Sequence, residues 1–254
     1  MSSNTWTPAA LASNAGALRT RCWRVVEAQS KVSTLKLTDT LDEQSALEDL
    51  IERSKPAVPE ECRHLGYLLL TPFRYIPYPF TSRFRRAGSP DGVFYAAEAS
   101  ETAVAEAAFY RLLFFAESPD TPWPANPGEY TAFAADIATA KAIDLMRPPL
   151  VSNRALWTRR TDYAACLDLA DNARAANLEV IRYESVRDPQ ARANIAVLTC
   201  RAFAEPDVTG RQTWHLHFGN SGVRATCESP AMAIPFVRDA FAADPRVASM
   251  RWDR

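Results

Sequence analysis

The clearest alternation of apolar and polar positions begins after Asp39. In "TLDEQSALEDLIERSKP" Leu47, Leu50 and Ile51 share one helical face, Thr40 and Glu43 have capping-box spacing, and Pro56 blocks continuation. "YLLLTPFRYIPYPF" is apolar and aromatic but broken by Pro72, Pro77 and Pro79, so it predicts short strands or extended chain. "GVFYAA" predicts a short buried strand, and Ser100 serves as N-cap for a helix over about 101–116. "SPDTPWPANPG", with prolines at 119, 122, 124 and 127, is a loop. "YTAFAADI", "KAIDL", "LEVIRYESVR" and "NIAVLTCRAF" read as strands, interrupted by a helix over 158–176. "TWHLHF" and "VRATC" flank "GNSG" as a hairpin, and a last helix is expected over about 230–243. Residues 21–37 read as strand-like with turns, and residues 1–20, weakly periodic and rich in Ala, Ser and Thr, as a flexible arm. Strands and helices mix without regular βαβ alternation, which favours an α+β fold over a doubly wound sheet.

Composition narrows the class of function. The chain has 254 residues, 47% hydrophobic and 23% charged, enough to bury a core without disulfides or structural metal. A net charge of −1 supplies no global field to collect nucleic acid or an anionic membrane. Five scattered cysteines, an odd number with no C-x-x-C pair, argue against a disulfide framework and a zinc ribbon. The N-terminus has no basic start followed by an apolar core, and no run approaches the length of a membrane span, so a cytoplasmic protein is expected.

Glu106 is the conspicuous residue. On a helix beginning near 101, Ala103, Glu106, Ala107 and Tyr110 lie within one face, and most of the remaining surface is apolar. A carboxylate there needs hydrogen bonds, a cation such as Arg111, a solvated rim or a ligand pocket. Upstream, Arg74, Arg83, Arg85 and Arg86 are interleaved with Phe73, Tyr75, Tyr78, Phe80 and Phe84. Guanidiniums bind phosphate and stack on rings, so this segment suits a nucleotide ligand or single-stranded nucleic acid, or simply packs as a solvated loop. His215 and His217 point the same way on a strand, but no third ligand follows them and no metal site is assigned. Ser185 shares a strand face with Tyr183 and Arg187, by itself an ordinary pattern.

Taken in order, "LLLTPFRYIPYPFTSRFRRAG", "GVFYAAEASETAVAEAAFYR", "AIDL", "VIRYESVR" and "NIAVL" resemble the RES domain, named for an arginine, a glutamate and a serine. The similarity spans roughly residues 67–203 of a single domain over 21–254, and "WRVVEAQSKVSTLKLTD" and "LEDLIERSKP" resemble a longer subgroup of that family. The resemblance implies an ADP-ribosyltransferase-like α+β fold with a mixed β core flanked by helices. It also implies a toxin that acts on NAD+ without a metal and is neutralised by an Xre-like antitoxin covering the active site. NAD+ would be degraded by hydrolysis or phosphorolysis, or its ADP-ribose transferred to a protein such as phosphoribosyl pyrophosphate synthetase. Residue by residue, Arg83 is similar to the family arginine, Tyr95 to the pocket aromatic, Glu106 to the glutamate, Ser185 to the serine and Asn194 to the accompanying asparagine. The expected catalytic set is therefore Glu106, Arg83 and Ser185. Arg83, Tyr95, Ser185, Asn194, Arg74 and Arg85 would hold the nucleotide. The loop between Arg83 and Tyr95 is slightly longer than in compact members, and "RFR" stands where "RWN" is common, so Arg83 and Arg85 compete for the family position. A non-catalytic nucleotide- or nucleic-acid-binding module using 73–86 is the alternative from another class.

Overall fold

The structure, a computed structural model, describes residues 6–28, 37–74 and 77–254. Tyr75 and most of the turn-rich stretch expected after Glu27 lie outside the described residues. The α-helices are α1 (Pro8–Ser13), α2 (Leu41–Ser54), α3 (Tyr67–Leu70), α4 (Ser100–Glu117), α5 (Arg154–Trp157), α6 (Ala164–Ala175) and α7 (Pro245–Ala248). The strands are β1 (Gly16–Glu27), β2 (Phe94–Ala97), β3 (Gly128–Asp144), β4 (Val180–Glu184), β5 (Ala193–Val197), β6 (Gly210–Gly219), β7 (Gly222–Cys227) and β8 (Met232–Val237). They form one mixed sheet in the order β1-β2-β5-β4-β3-β6-β7-β8, flanked by helices, which is the expected α+β class.

Strand β1 also pairs with β3, so β1, β2, β5, β4 and β3 close into a ring. The length of β3 permits this. Its early residues pair with β6, its last three run parallel to β4, and its other edge carries β1 from Tyr130 to Ala142. Because side chains alternate across a strand, each ring strand has two destinations. Cys22, Phe94, Phe133, Val180, Ile195 and Val197 meet in one buried cluster. Tyr95, Tyr183 and Asn194 point the other way, and on that side the helices pack: α6 with α1 over β4 and β5, and α4 over β1, β3, β6 and β7.

Several expectations change. Residues 8–20 are α1 and the start of β1 rather than an arm, because eleven residues of β1 find ladder partners on β3. Residues 67–73 are helical turns, with Pro72 at the start of a 3₁₀ turn where its missing N–H costs nothing. "YTAFAADI" and "KAIDL" are one strand, the second helix begins only at Ala164, and Ala99 rather than Ser100 is the N-cap of α4. The expected helix over 230–243 is instead β8 and a 3₁₀ turn, since β7 offers Met232–Val237 an edge along its full length. The capping box of α2 is present, but Leu50 and Ile51 are exposed. Gly222, following the Asn220–Ser221 turn, has φ +127°, and a Cβ there would sit 2.1 Å from the Phe236 carbonyl.

Cys62 and Cys200 form a disulfide, Cα atoms 5.3 Å apart and 138 residues apart in sequence. It ties the 58–73 segment, whose Leu65, Leu69, Leu70 and Phe73 enter the ring's cluster, to the turn after β5. The odd cysteine count argued against such a bridge, and the count says nothing about which pair the fold brings together. Cys22, Cys166 and Cys227 are free and buried. Replacing Cys62 by serine is expected to lower stability by about 2–4 kcal/mol, mostly through loop-closure entropy of the unfolded chain. Urea midpoints measured with and without reductant check this: reductant should destabilise the parent chain and leave Cys62→Ser unmoved.

Candidate active site

Outward side chains of β1, β2, β4 and β5 and one face of α4 enclose a cavity of about 360 Å³. The contributing face of α4 is Ala103, Glu106, Ala107 and Tyr110, while Val104, Ala105, Ala108 and Phe109 pack into the core behind it. A helix apolar nearly all round is buried on most sides, and Glu106 occupies the side left open to the cavity.

Two donors converge on one oxygen of Glu106. Ser185 Oγ and Asn194 Nδ2 each donate to Oε1 at 2.7 Å. Ser185 Oγ accepts from the Arg187 and Asp188 backbone N–H groups, at 3.2 and 3.0 Å, so its single proton is committed to Glu106. Asn194 must present its amide nitrogen to a carboxylate that only accepts, and this fixes the amide orientation. Among the described residues no donor reaches Glu106 Oε2, and the buried Asn194 Oδ1 has no hydrogen-bond partner. The result is an oriented carboxylate with one free oxygen, next to an unused acceptor.

Opposite stands Arg83, 8% exposed, at the heart of a tight Ser82–Arg85 turn. Its guanidinium donates to the Trp157 carbonyl at 2.7 Å and lies 4.8 Å from the Tyr163 ring centroid. Burial alone would lower its pKa; Cys166, Tyr183 and Tyr163 outweigh burial and hold it above the ordinary value, so the charge persists. The Tyr95 hydroxyl grips the same turn, accepting from the Phe84 backbone N–H at 2.9 Å and bonding Ser82 Oγ at 2.9 Å. Burial pushes the Tyr95 phenol up, and burial, with the Glu106 charge adding to it, pushes the Tyr183 phenol well up. Both rings therefore face the cavity as neutral phenols.

Of the two competing arginines, Arg83 lines the cavity and Arg85 does not. The Arg85 guanidinium lies 5.5 Å from the Tyr78 ring centroid, outside the cavity lining. Arg74 pairs with Glu52 of α2 and the Pro56 carbonyl, and Arg86 with Asp168 and Asp171 of α6. The roles expected for Arg74 and Arg85 in holding a nucleotide thus have no support in their placement. Ser185, 2% exposed, is not in the lining and reaches the cavity only through Glu106. Arg111 pairs with Glu27 and leaves Glu106 alone. Sequence reasoning missed Trp23, Tyr163 and Arg187 as lining residues. An aromatic–arginine composition was their only signal, and it does not distinguish a wall from a core. Among the described residues the one grouping of three potential metal ligands is Glu61, Cys62 and Cys200, and its cysteines are disulfide-bonded, so His215 and His217 gain no third ligand.

Within this α+β fold, Glu106, Arg83 and Asn194 line one cavity, and Ser185 bonds Glu106 from behind the wall. The profile of the RES domain matches residues 58–219, well over half of the chain. The chain belongs to the RES-domain family. Among solved structures it is similar to a chain of the M. tuberculosis MbcT–MbcA toxin–antitoxin complex, at 12% identity and a TM-score of 0.45, covering 79% of this chain and 90% of that one. No curated protein sequence matches it.

Proposed function

We propose that this protein is a toxin of a toxin–antitoxin pair and an enzyme that breaks the nicotinamide–ribose bond of NAD+. The observation that carries the reading is Glu106, with Oε1 held by two donors and Oε2 free in the cavity. Breaking that bond expels neutral nicotinamide and leaves an oxocarbenium-like ribose. By analogy with glycoside hydrolysis, a fixed carboxylate beside the sugar stabilises this state and accepts from a ribose hydroxyl. Asn194 Oδ1, unpartnered and buried, suits a second hydroxyl or the nicotinamide amide. Arg83, charged on the cavity wall and bonded to the Trp157 carbonyl rather than to a carboxylate, suits a pyrophosphate. Tyr95 and Tyr163 offer ring surface to the nicotinamide.

A cavity of about 360 Å³ lies at the small end for ligand pockets, so it accommodates the nicotinamide riboside half while the adenosine half extends through the mouth. The acceptor is water, phosphate or a protein side chain, the last including phosphoribosyl pyrophosphate synthetase. Neutralisation falls to an Xre-like antitoxin seated over the cavity, with the cytoplasm as the place of action. Among the described residues no helix is long and apolar enough to cross a membrane.

Purified protein incubated with NAD+ is expected to release nicotinamide, measured by chromatography, with phosphate and candidate acceptor proteins supplied in separate reactions. No release in any of them would refute the enzymatic reading.

A further inference from the structure

Glu106 and Ser185 belong to elements far apart in the chain, and their contact depends on how the turn after β4 is held against α4. We propose that Thr102 and Asp188 form a clamp that sets this contact, making both positioning residues for the reaction proposed above, on which the inference rests. Neither residue lines the cavity, so substrate contact is not their role.

The turn spans residues 185–188. Its opening is fixed by the backbone: Ser185 N donates to the Arg192 carbonyl at 2.9 Å, and Ser185 Oγ accepts from the N–H groups of Arg187 and Asp188. The Ser185 hydroxyl therefore points where the turn points. Asp188 closes the turn and is 5% exposed, so its carboxylate needs partners. Oδ1 accepts from Gln190 N at 3.0 Å and Arg192 Nη2 at 3.2 Å. Oδ2 accepts from Arg192 Nε at 2.6 Å and from Thr102 Oγ1 at 2.7 Å.

Thr102 is wholly buried and lies one turn before Glu106 on α4. Residues four apart on a helix share a face, so α4 is hydrogen-bonded to the turn at two points: Thr102 on Asp188 and Glu106 on Ser185. One hydrogen bond would let the turn pivot about the carboxylate. Two, a helical turn apart, fix both its distance and its tilt.

The test uses steady-state nicotinamide release by the full chain. Thr102→Val keeps the shape and deletes the hydroxyl. It is expected to lower kcat by about ten- to a hundredfold, the scale of a small misplacement of a reacting group, with KM nearly unchanged. Thr102→Ser should restore it, and Thr102→Val with Ser185→Ala should be no slower than Ser185→Ala alone. An unchanged kcat in Thr102→Val, or losses that simply add in the double variant, would overturn the clamp. A second measurement needs no turnover: amide hydrogen exchange at Arg187 and Asp188. Both N–H groups should exchange faster in Thr102→Val and recover in Thr102→Ser, while the β6–β7 hairpin stays protected. Exchange unchanged at these two amides, or faster throughout the chain, would count against the clamp. If the parent chain releases no nicotinamide, the functional reading fails and the exchange result still decides the clamp.

Discussion

Glu106→Gln should lower nicotinamide release by roughly two to four orders of magnitude, the range seen when one charged or proton-handling group is removed from a reacting centre. Glutamine has nearly the same volume and retains a carbonyl oxygen to accept from Ser185 and Asn194 at the Oε1 position, so the local hydrogen bonds survive. In the proposed reaction, the negative charge beside the developing ribose cation is lost. Because that charge matters most when the bond is breaking, the fall should appear in kcat with little change in KM. The melting temperature should stay close to that of the parent chain. Glu106→Asp is the sharper companion: it keeps the charge but draws it back by one methylene, away from both donors. A glutamine variant retaining more than about a tenth of the parent rate would sink the role given to Glu106, since the smallest effect expected of such a group is about a hundredfold.

The part of this site that was legible in the sequence is the part set by local geometry. Helical spacing alone placed Ala103, Glu106, Ala107 and Tyr110 on one face, and that face is the cavity wall. The capping box of Thr40 and Glu43 and the two-residue turn at Asn220–Ser221 are likewise matters of neighbouring residues. Illegible features depend on partners distant in the chain. Residues 16–20 have weak periodicity, and it is β3, running beside them more than a hundred residues later, that makes them strand. Met232–Val237 has enough helical character to mislead, and the free edge of β7 decides otherwise. Arg83 and Arg85 are chemically equal in sequence. The Tyr95 hydroxyl, bonded on either side of Arg83, is what turns one toward the cavity. Ser185 was expected to hold the nucleotide, and its commitment to Glu106 emerges only once two backbone N–H groups are seen to occupy its lone pairs.

Residues beyond the family match also reach this site, and their removal carries the second large expected effect. Asp244, at the start of α7, is 1% exposed and pairs with Arg187, whose side chain is 3% exposed and lines the cavity. The Arg187 guanidinium lies 3.8 Å from the Phe109 ring centroid on α4, three residues after Glu106. Arg246 donates to both oxygens of Asp244 at 3.0 Å, and such hydrogen bonds outweigh burial in holding the carboxyl below its ordinary pKa. Asp244→Ala would strand a buried guanidinium on the cavity wall and remove the side-chain cap of α7. A loss of about 3–5 kcal/mol is expected, the cost of breaking a buried pair from one side. The unpaired Arg187 would no longer be held in one place on the wall, so KM for the proposed substrate NAD+ should rise in whatever fraction stays folded. Urea denaturation measures the first effect and nicotinamide release the second. The cost should come from the stranded charge rather than from the absence of attraction, which makes a further comparison decisive. Arg187→Met combined with Asp244→Leu removes both charges and keeps most of the volume, so it should be less destabilising than Asp244→Ala alone. If the double variant is instead the weaker of the two, the pair contributes net attraction and the desolvation account of this wall is wrong.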